Sequence, residues 1–321
     1  MIRSWRAAAP QLQLLSMIAI WGSSYAAVKT VLDRGVPPFD LLRARFWIAV
    51  ACLLPPAVAV GRRALGTEAL RGIATGVPLL IGYALQTFGI QQTTASMGGF
   101  LSGLITLFVA AGAVLVFGER LRAPTVFGLL LGAAGLALLC FGGDEHDGAR
   151  KNTLAGIGLQ IASSFSYAGH ILLLSRLSRR GRELQYCWWQ LLTVALGVTA
   201  LAAATGTAAA PFRGADPTVW LCIAFLGVFA LAIGISVQST VQPRIPATQV
   251  AVLFATQPGF AALGGVVFLG DRMTTLEWSG GALIGIGVLV AELVRPRSSA
   301  GAAASLAHEH RDAARLRDGA Q

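Results

Sequence analysis

The sequence repeats one stretch of itself 152 positions further along the chain, and this repeat constrains the fold more than any other feature. Residues 82–135 and 234–287 align without a gap and share 13 identities in 54 positions. A chain this rich in alanine, leucine and glycine would give roughly four or five by chance. The aligned sets include Gly82 with Gly234, Gln86 with Gln238, and Gly118-Glu119-Arg120 with Gly270-Asp271-Arg272. We therefore predict a tandem duplication whose function depends on both copies.

The chain is too apolar for a soluble domain. Of its 321 residues, 55% are hydrophobic and only 12% are charged, whereas soluble proteins carry about a quarter charged residues. The apolar residues form runs of about twenty, the helix length that crosses a hydrocarbon core about 30 Å thick. The net charge of +10 is scattered between these runs. We therefore expect a lipid bilayer as a partner and no nucleic acid.

Ten continuous apolar runs predict an all-α membrane protein with ten transmembrane helices, because such runs are about twice the length of barrel strands. The runs lie at residues 11–32, 39–60, 70–90, 96–117, 123–142, 153–174, 187–207, 217–238, 247–269 and 276–294. Two domains of five helices each are predicted, a first repeat at 11–142 and a second at 153–294. Residues 295–321 carry no apolar run and are expected to form a disordered cytoplasmic tail.

The lysine and arginine content of the loops predicts the orientation. One set of loops holds 14 of these residues and the opposite set holds 5, with the distal tail left out. Positive loops stay in the cytoplasm, so both termini are expected inside, in a multi-pass protein of the bacterial inner membrane. Each copy has an odd number of spans, so the second copy must cross the membrane upside down. Inverted repeats are characteristic of secondary transporters, whose substrate site lies near the midplane between the halves.

Several motifs together resemble one family. The run Trp-Gly-Ser-Ser-Tyr-Ala-Ala-Val-Lys, from Trp21 to Lys29, resembles the first-helix signature of the drug/metabolite transporter (DMT) superfamily, specifically the EamA-type permeases. The other matching motifs are Gln86-Thr87-Phe88-Gly89-Ile90 with Thr94-Ala95-Ser96, Gly118-Glu119-Arg120-Leu121, Ile245-Pro246-Ala247-Thr248 and Gly270-Asp271-Arg272. Asp271 departs from the glutamate usual at the end of a repeat, and Gln91-Gln92 is more amide-rich than the family pattern.

The resemblance covers residues 11–294. It implies two inverted five-helix EamA repeats around a central cavity, and efflux of small metabolites, amino acids or drugs by alternating access without ATP. A metabolite importer of the same fold is one alternative. A polytopic membrane enzyme acting on lipid-linked substrates is the alternative from another class. Because the sequence contains no nucleotide loop, metal cluster or nucleophile–base arrangement, we expect no enzyme activity, no cofactor and no metal, and a monomer or homodimer that takes a small-molecule substrate.

No acidic residue lies near the centre of a predicted span. A midplane carboxylate is the usual proton relay and the usual anchor for organic cations in membranes, so a glutamate-based proton antiporter is disfavoured. His170 is the only histidine inside a span, and Tyr167 precedes it by one turn. His170 could relay protons near neutral pH, or it could only hydrogen-bond a neighbouring helix.

Neutral polar and aromatic residues within the spans are the candidate substrate-binding groups. Gln86 and Gln238 are equivalent by the repeat, and Gln257 stands beside Pro258, which breaks a helix. The complete set is Trp21, Ser24, Tyr25, Gln86, Ser102, Thr106, Tyr167, Gln238 and Gln257. Such groups pair with neutral or zwitterionic solutes, although they also join helices to one another at roughly 0.6 kcal/mol per hydrogen bond.

Three cations lie inside predicted spans: Lys29, Arg43 and Arg45. Lys29 and Arg45 could form an outer-side charge site that attracts an anionic or zwitterionic substrate. The other interpretation is that they snorkel to the interface with Asp33 and Asp40 as partners. For Arg43 snorkelling is favoured.

The matched glycines are assigned to packing. Gly128-x6-Gly135 and Gly280-x6-Gly287 each place two glycines about two helical turns apart on one face. Small residues let helices approach closely and slide past one another. The acidic-basic turns at Glu119 and Asp271 are expected to cap helix ends and to form local ion pairs.

Overall fold

The computed structural model describes residues 2–59, 62–117, 123–141, 152–177, 182–207, 216–245, 250, 253–254, 256–272 and 274–293. Helices occupy most of these ranges and no strand occurs within them, so the prediction of an all-α membrane protein is confirmed. The described helices long and apolar enough to cross a membrane are Pro10–Asp33, Pro38–Ala59, Glu68–Gln91, Leu154–Leu177, Glu183–Ala204 and Pro217–Val241. Shorter apolar helices cover Ala95–Val109, Val126–Leu138 and Gln257–Leu269. The predicted tail and the turn at Glu119 lie outside the described residues.

The helices follow the predicted order and are numbered here as spans. Spans 1 to 3 are Ile2–Asp33, Pro38–Ala59 and Arg62–Gln91, and span 4 consists of Ala95–Leu101 and Leu104–Phe117. Spans 5 to 7 are Ala123–Phe141, Leu154–Leu177 and Glu183–Ala204. Span 8 consists of Pro217–Ala224, the π-helical Phe225–Ile233 and Gly234–Val241. Span 9 consists of Gln257–Gly264 and the π-helical Gly265–Leu269, and span 10 is Thr275–Leu293.

Spans 5 and 10 are equivalent by the repeat, and they pack directly on each other. A Cβ atom added to Gly135 would lie 2.5 Å from the carbonyl oxygen of Gly280. A Cβ atom added to Gly287 would lie 2.5 Å from the carbonyl oxygen of Gly128. The contacts run in opposite chain directions, so the two helices are antiparallel. Only glycine allows this approach, which agrees with the packing role expected of these residues.

Spans 2 and 7 are a second pair of equivalent helices in contact. Trp47 Nε1 donates to Thr199 Oγ1 at 3.3 Å, and Gln185 Nε2 donates to the carbonyl oxygen of Ala57 at 3.4 Å. These two contacts also run antiparallel, and positions 47 and 199 correspond to each other in the repeat. Span 3 packs on span 7, and span 8, the repeat equivalent of span 3, packs in the same way on span 2, the equivalent of span 7. The two halves are therefore related by the inverted pseudo-symmetry that an odd number of spans requires.

Spans 4 and 9 are both interrupted. In span 4 the helix stops at Leu101 and resumes at Leu104, although the sequence predicted one continuous helix there. In span 9 an α-helix begins at Gln257 with Pro258 in its first turn, which agrees with the break expected at that proline. The spans cross closely, since a Cβ atom on Gly103 would lie 3.2 Å from Pro258 Cγ. Interrupted helices in corresponding positions of two halves are characteristic of transporter binding sites.

Acidic side chains cap two of the helix starts. Asp271 Oδ2 accepts from the backbone N–H of Ser96 at 3.2 Å and from its hydroxyl at 2.7 Å. Asp271 therefore caps span 4, which belongs to the other half of the molecule. Asp216 accepts from the N–H of Val219 at 3.1 Å and so caps span 8. The Asp271 contact ties a loop of the second half to a helix of the first, whereas Asp216 caps a helix of its own half.

Candidate functional site

A cavity of about 60 Å³ lies between the two halves, beside the crossing of spans 4 and 9. This volume accommodates a few water molecules or part of a small solute. The predicted site residues that line it are Trp21, Ser24, Tyr25, Gln86, Tyr167, His170, Gln238 and Gln257. The other lining residues are Leu79, Tyr83, Ile105, Ile171, Ile235 and Phe254. Folding thus collects most of the candidate residues, from both halves, around one space.

The Gln86 amide is held between two tyrosines. Its Nε2 donates to the hydroxyl of Tyr25 at 2.6 Å, and its Oε1 accepts from the hydroxyl of Tyr167 at 3.1 Å. Gln160 Nε2 donates to the backbone carbonyl of Gln86 at 3.2 Å. These bonds join spans 1, 3 and 6, and they fix which face of the amide is presented to the cavity.

Two glycines that match in the repeat make room for aromatic rings of the cavity. A Cβ atom on Gly82 would lie 2.8 Å from Cε1 of Tyr167, and a Cβ atom on Gly234 would lie 2.9 Å from Nε1 of Trp21. In each case the ring comes from the other half of the chain. The rings at the cavity therefore explain why glycine occupies both matched positions, in addition to its role in helix packing.

A hydrogen bond and a ring contact together hold the Trp21 indole in place. Its Nε1 donates to the carbonyl oxygen of Ala230 at 2.6 Å. Ala230 lies in the π-helical part of span 8, a kind of bulge that changes the local backbone hydrogen-bond pattern and is frequent at functional sites. The indole also stacks on Phe254, with ring centroids 5.8 Å apart and an interplanar angle of 18°. The result is a rigid aromatic wall.

Gln238, the repeat partner of Gln86, is bound differently. Its Nε2 donates to Oε1 of Gln242 at 2.8 Å, one turn further along the chain. Gln242 Nε2 in turn donates to the carbonyl oxygen of Ile171 at 3.1 Å. Gln238 is therefore oriented by Gln242, which follows it at the C-terminal end of its own helix, whereas Gln86 is oriented by two tyrosines. The two amides are equivalent in sequence but not in hydrogen bonding.

Two buried polar atoms at the cavity have no partner within the described residues: Oε1 of Gln257 and Nε2 of His170. His170 Nδ1 lies 3.0 Å from the carbonyl oxygen of Thr75, so Nδ1 of the neutral ring carries the hydrogen. Nε2 is then an acceptor. An unpaired buried acceptor costs about 1–3 kcal/mol. A solute with N–H or O–H donors would recover that energy.

Ser102 and Thr106 do not line the cavity, although both are predicted site residues. Ser102 is buried, its hydroxyl donates to the carbonyl oxygen of Gly99 at 2.5 Å, and it also hydrogen-bonds the Tyr25 side chain. It therefore supports a residue that does line the space. Thr106 is half-buried, and its neighbour Ile105 takes the place at the cavity wall.

The predicted outer-side charge site does not line the cavity either. Lys29 Nζ lies 3.1 Å from Asp33 Oδ1 and 3.4 Å from the carbonyl oxygen of Ile90. Arg43 forms an ion pair with Asp40. Both cations therefore have the carboxylate partners that the snorkelling interpretation names.

Arg45 has different surroundings. Its Nη2 donates to Thr87 Oγ1 at 3.0 Å. Its guanidinium carbon lies 4.9 Å from the ring centroid of Tyr83 and 5.6 Å from that of Phe46. Tyr83 lines the cavity, so Arg45 lies directly behind the cavity wall.

The candidate set from the sequence omits Tyr83 and Phe254. Tyr83 stands one turn before Gln86 on the same helical face, and this spacing could have indicated it. Phe254 aligns with Ser102 in the repeat, so the duplication could have pointed to that position. In the ranges that the structure describes, no cluster of three or more His, Cys, Asp or Glu residues could hold a metal ion.

The EamA-like transporter family matches residues 10–141 and, a second time, residues 154–293. The chain belongs to the EamA-like transporter family. The resemblance in its motifs is thereby confirmed, and the duplication corresponds to two EamA units. Family membership identifies the protein as a membrane transporter with a small-molecule substrate, rather than as a member of an enzyme family.

Individual relatives of this EamA-like transporter agree with that assignment. An Archaeoglobus fulgidus protein described as an "Uncharacterized transporter" is 26% identical over 87% of this chain and 84% of its own. An Escherichia coli K12 protein named "Probable amino-acid metabolite efflux pump" is 23% identical over 86% of this chain and 92% of its own. One solved crystal structure has a TM-score of 0.68 at 21% identity, covering 91% of this chain and 99% of that one. At that identity the structural match establishes the fold alone.

Proposed function

We propose that this protein is a secondary transporter of the bacterial inner membrane that exports a small polar or amphipathic metabolite by alternating access. The cavity between the inverted halves is the proposed substrate site. Gln86, Gln238, Gln257, Trp21, Ser24, Tyr25 and Tyr167 are the proposed binding residues, with Ser102 and Thr106 as supporting residues. His170 is the proposed proton relay. The two EamA units, 11–142 and 153–294, are the proposed moving bodies.

The observation that carries this proposal is the pair of unpaired acceptors at the cavity. Gln257 Oε1 and His170 Nε2 are both buried without a partner among the described residues. Buried polar atoms without a protein partner occur in native structures mainly where a ligand or ordered water completes their hydrogen bonds. The site lies where two interrupted helices of opposite halves cross, which is the usual location of a transported solute in inverted-repeat carriers.

Export rather than import is supported by one relative, which is named "Probable amino-acid metabolite efflux pump". A membrane enzyme would need paired carboxylates or histidines at the cavity, whereas the described lining contains one histidine and no carboxylate.

The decisive experiment is reconstitution of the purified full chain into liposomes. Radiolabelled amino acids and small metabolites are tested one at a time for counterflow, with protein-free liposomes as the control. We expect saturable counterflow of at least one solute. Absence of counterflow and of uptake across a broad panel would contradict the transporter proposal. Efflux from everted and right-side-out vesicles then distinguishes an exporter from an importer.

A further inference from the structure

Arg45 is a buried cation to which the described residues supply no carboxylate. Its side chain is 2% exposed, and it belongs to none of the ion pairs found in the described part of the chain. Thr87 Oγ1, a neutral acceptor, lies 3.0 Å from Nη2. The Nε donor is buried without a partner. The guanidinium is therefore charged, dehydrated and incompletely hydrogen-bonded.

The other cations at this end of the molecule have acidic partners. Lys29 lies 3.1 Å from Asp33, and Arg34 lies 2.7 Å from Asp216. A lone charge inside a membrane protein is costly, and such residues generally face a substrate or ion pathway. The cation–π contact with Tyr83 offsets only part of that cost.

Tyr83 connects Arg45 to the cavity. The guanidinium carbon of Arg45 lies 4.9 Å from the centroid of the Tyr83 ring. The same ring packs edge-to-face with the Tyr167 ring, and the two centroids are 5.3 Å apart. Tyr83 and Tyr167 both line the cavity. A single aromatic ring therefore separates a planar donor fork from the space in which Gln257 and His170 offer acceptors.

We propose that Arg45 binds the carboxylate of the transported solute, and that the Tyr83 ring covers the guanidinium in the present conformation. This inference rests on the transport function proposed above. A guanidinium matches a carboxylate through two parallel N–H···O bonds. The N–H or O–H donors of the same solute would pair with Gln257 Oε1 and His170 Nε2. A lipid phosphate or an inorganic anion offers similar chemistry, so the test separates these sources.

The test measures binding to the purified full chain in nanodiscs by thermal unfolding. The probes are phenylacetate and its neutral isostere phenylacetamide, with sodium phosphate at equal ionic strength as the inorganic anion. We expect phenylacetate to raise the unfolding temperature and phenylacetamide and phosphate to have little effect. Arg45→Gln should weaken phenylacetate binding by at least about tenfold, the scale of one lost charged hydrogen-bond pair.

The control is Arg34→Gln, which removes an exposed, ion-paired arginine at the same end of the molecule and should leave phenylacetate binding unchanged. Arg45→Gln should not lower the unfolding temperature without ligand, because it removes an unbalanced buried charge. A purely structural arginine would instead destabilise the protein when replaced. Arg45→Lys keeps the charge but loses the planar fork, so it should fold as the wild type does and should bind phenylacetate more weakly.

Three results would overturn the inference. They are equal stabilisation by phenylacetate and phenylacetamide, retention of phenylacetate binding in Arg45→Gln or Arg45→Lys, and Arg45-dependent stabilisation by phosphate or phosphatidylglycerol nanodiscs without any by phenylacetate. Failure of the two proposals is distinguishable. Counterflow of neutral solutes without carboxylate binding would refute the Arg45 site alone, and carboxylate binding without any transport would refute the transport function alone.

Discussion

The side-chain amide of Gln86 donates to the hydroxyl of Tyr25 at 2.6 Å across the interior of the protein. Tyr167 donates to the other end of the same amide at 3.1 Å. One glutamine thus joins three spans at the wall of the cavity. Because all three groups are polar and lie in a membrane interior, loss of the Gln86 amide deprives both tyrosine hydroxyls of a hydrogen-bond partner.

Replacement of Gln86 by leucine should reduce the counterflow rate at least about tenfold, since two tyrosine hydroxyls lose a partner worth about 1–3 kcal/mol each when buried. Gln238→Leu should also impair transport, while membrane expression of both variants stays normal. The matched control is Gln91→Leu, at an exposed position in the same span. Unchanged transport kinetics in both Gln86→Leu and Gln238→Leu would mean that these two glutamines contribute to helix packing and not to substrate binding.

Gly82→Ala and Gly234→Ala should each slow transport, because the added Cβ atom would lie within 3 Å of Tyr167 or Trp21 and would displace that ring. The change is measured as the ratio of counterflow rates at equal protein density. Gly169→Ala is the control, since nothing lies within 4 Å of its added Cβ atom. Equal rates in all three variants would mean that the rings tolerate displacement.

Gly135→Ala and Gly287→Ala should lower the thermal unfolding temperature. In each, the new Cβ atom would lie 2.5 Å from a carbonyl oxygen of the facing helix, so spans 5 and 10 must separate. Overpacking of this kind costs typically about 1–3 kcal/mol. Gly285→Ala, which meets nothing within 4 Å, should be neutral or slightly stabilising. An unfolding temperature as high as that of the wild type in the first two variants would show that this contact is not tight.

The proposed proton relay at His170 should make the transport rate depend on pH, and the rate is measured between about pH 5.5 and 8. Protonation would convert His170 Nε2 from an acceptor to a donor, so a solute that donates to it should be carried more slowly at the acidic end. His170→Gln should flatten this dependence. A wild-type rate that is constant across the range would exclude the relay, and a persisting dependence in the variant would assign it to another group.

Asp216 should stabilise the loop before span 8 in a pH-dependent way. The hydrogen bond from the Val219 N–H, and with it the side chain of Arg34, holds the pKa of this carboxyl below its usual value. A lowered folded-state pKa means that the stabilisation is present above the pKa of the unfolded chain and is lost as the pH falls through the folded value. Asp216→Asn should therefore unfold at a lower temperature than the wild type at neutral pH. The two unfolding temperatures should converge in acid; a constant difference would contradict this.

Most residues at the cavity could be predicted from the sequence because they are polar or aromatic side chains within apolar runs. Gln257 stood out by its neighbour Pro258, and Gln86 with Gln238 by the repeat. Their partners could not be predicted. The contact of Asp271 with Ser96, for example, joins residues far apart in the chain and depends on how the two halves are docked.

The sequence by itself determined the class of the protein, the number and order of its spans, and the inversion of its second half. These properties follow from the length of each apolar run and from the odd number of runs per repeat, both of which are local. Only the tertiary structure decided which side chains meet at the cavity, where span 4 is interrupted, and that Arg45 lies behind Tyr83 with no carboxylate from the described residues. Those outcomes depend on helix crossings at which a glycine or a ring shifts a contact by an ångström or two, and hydropathy carries no information on that scale.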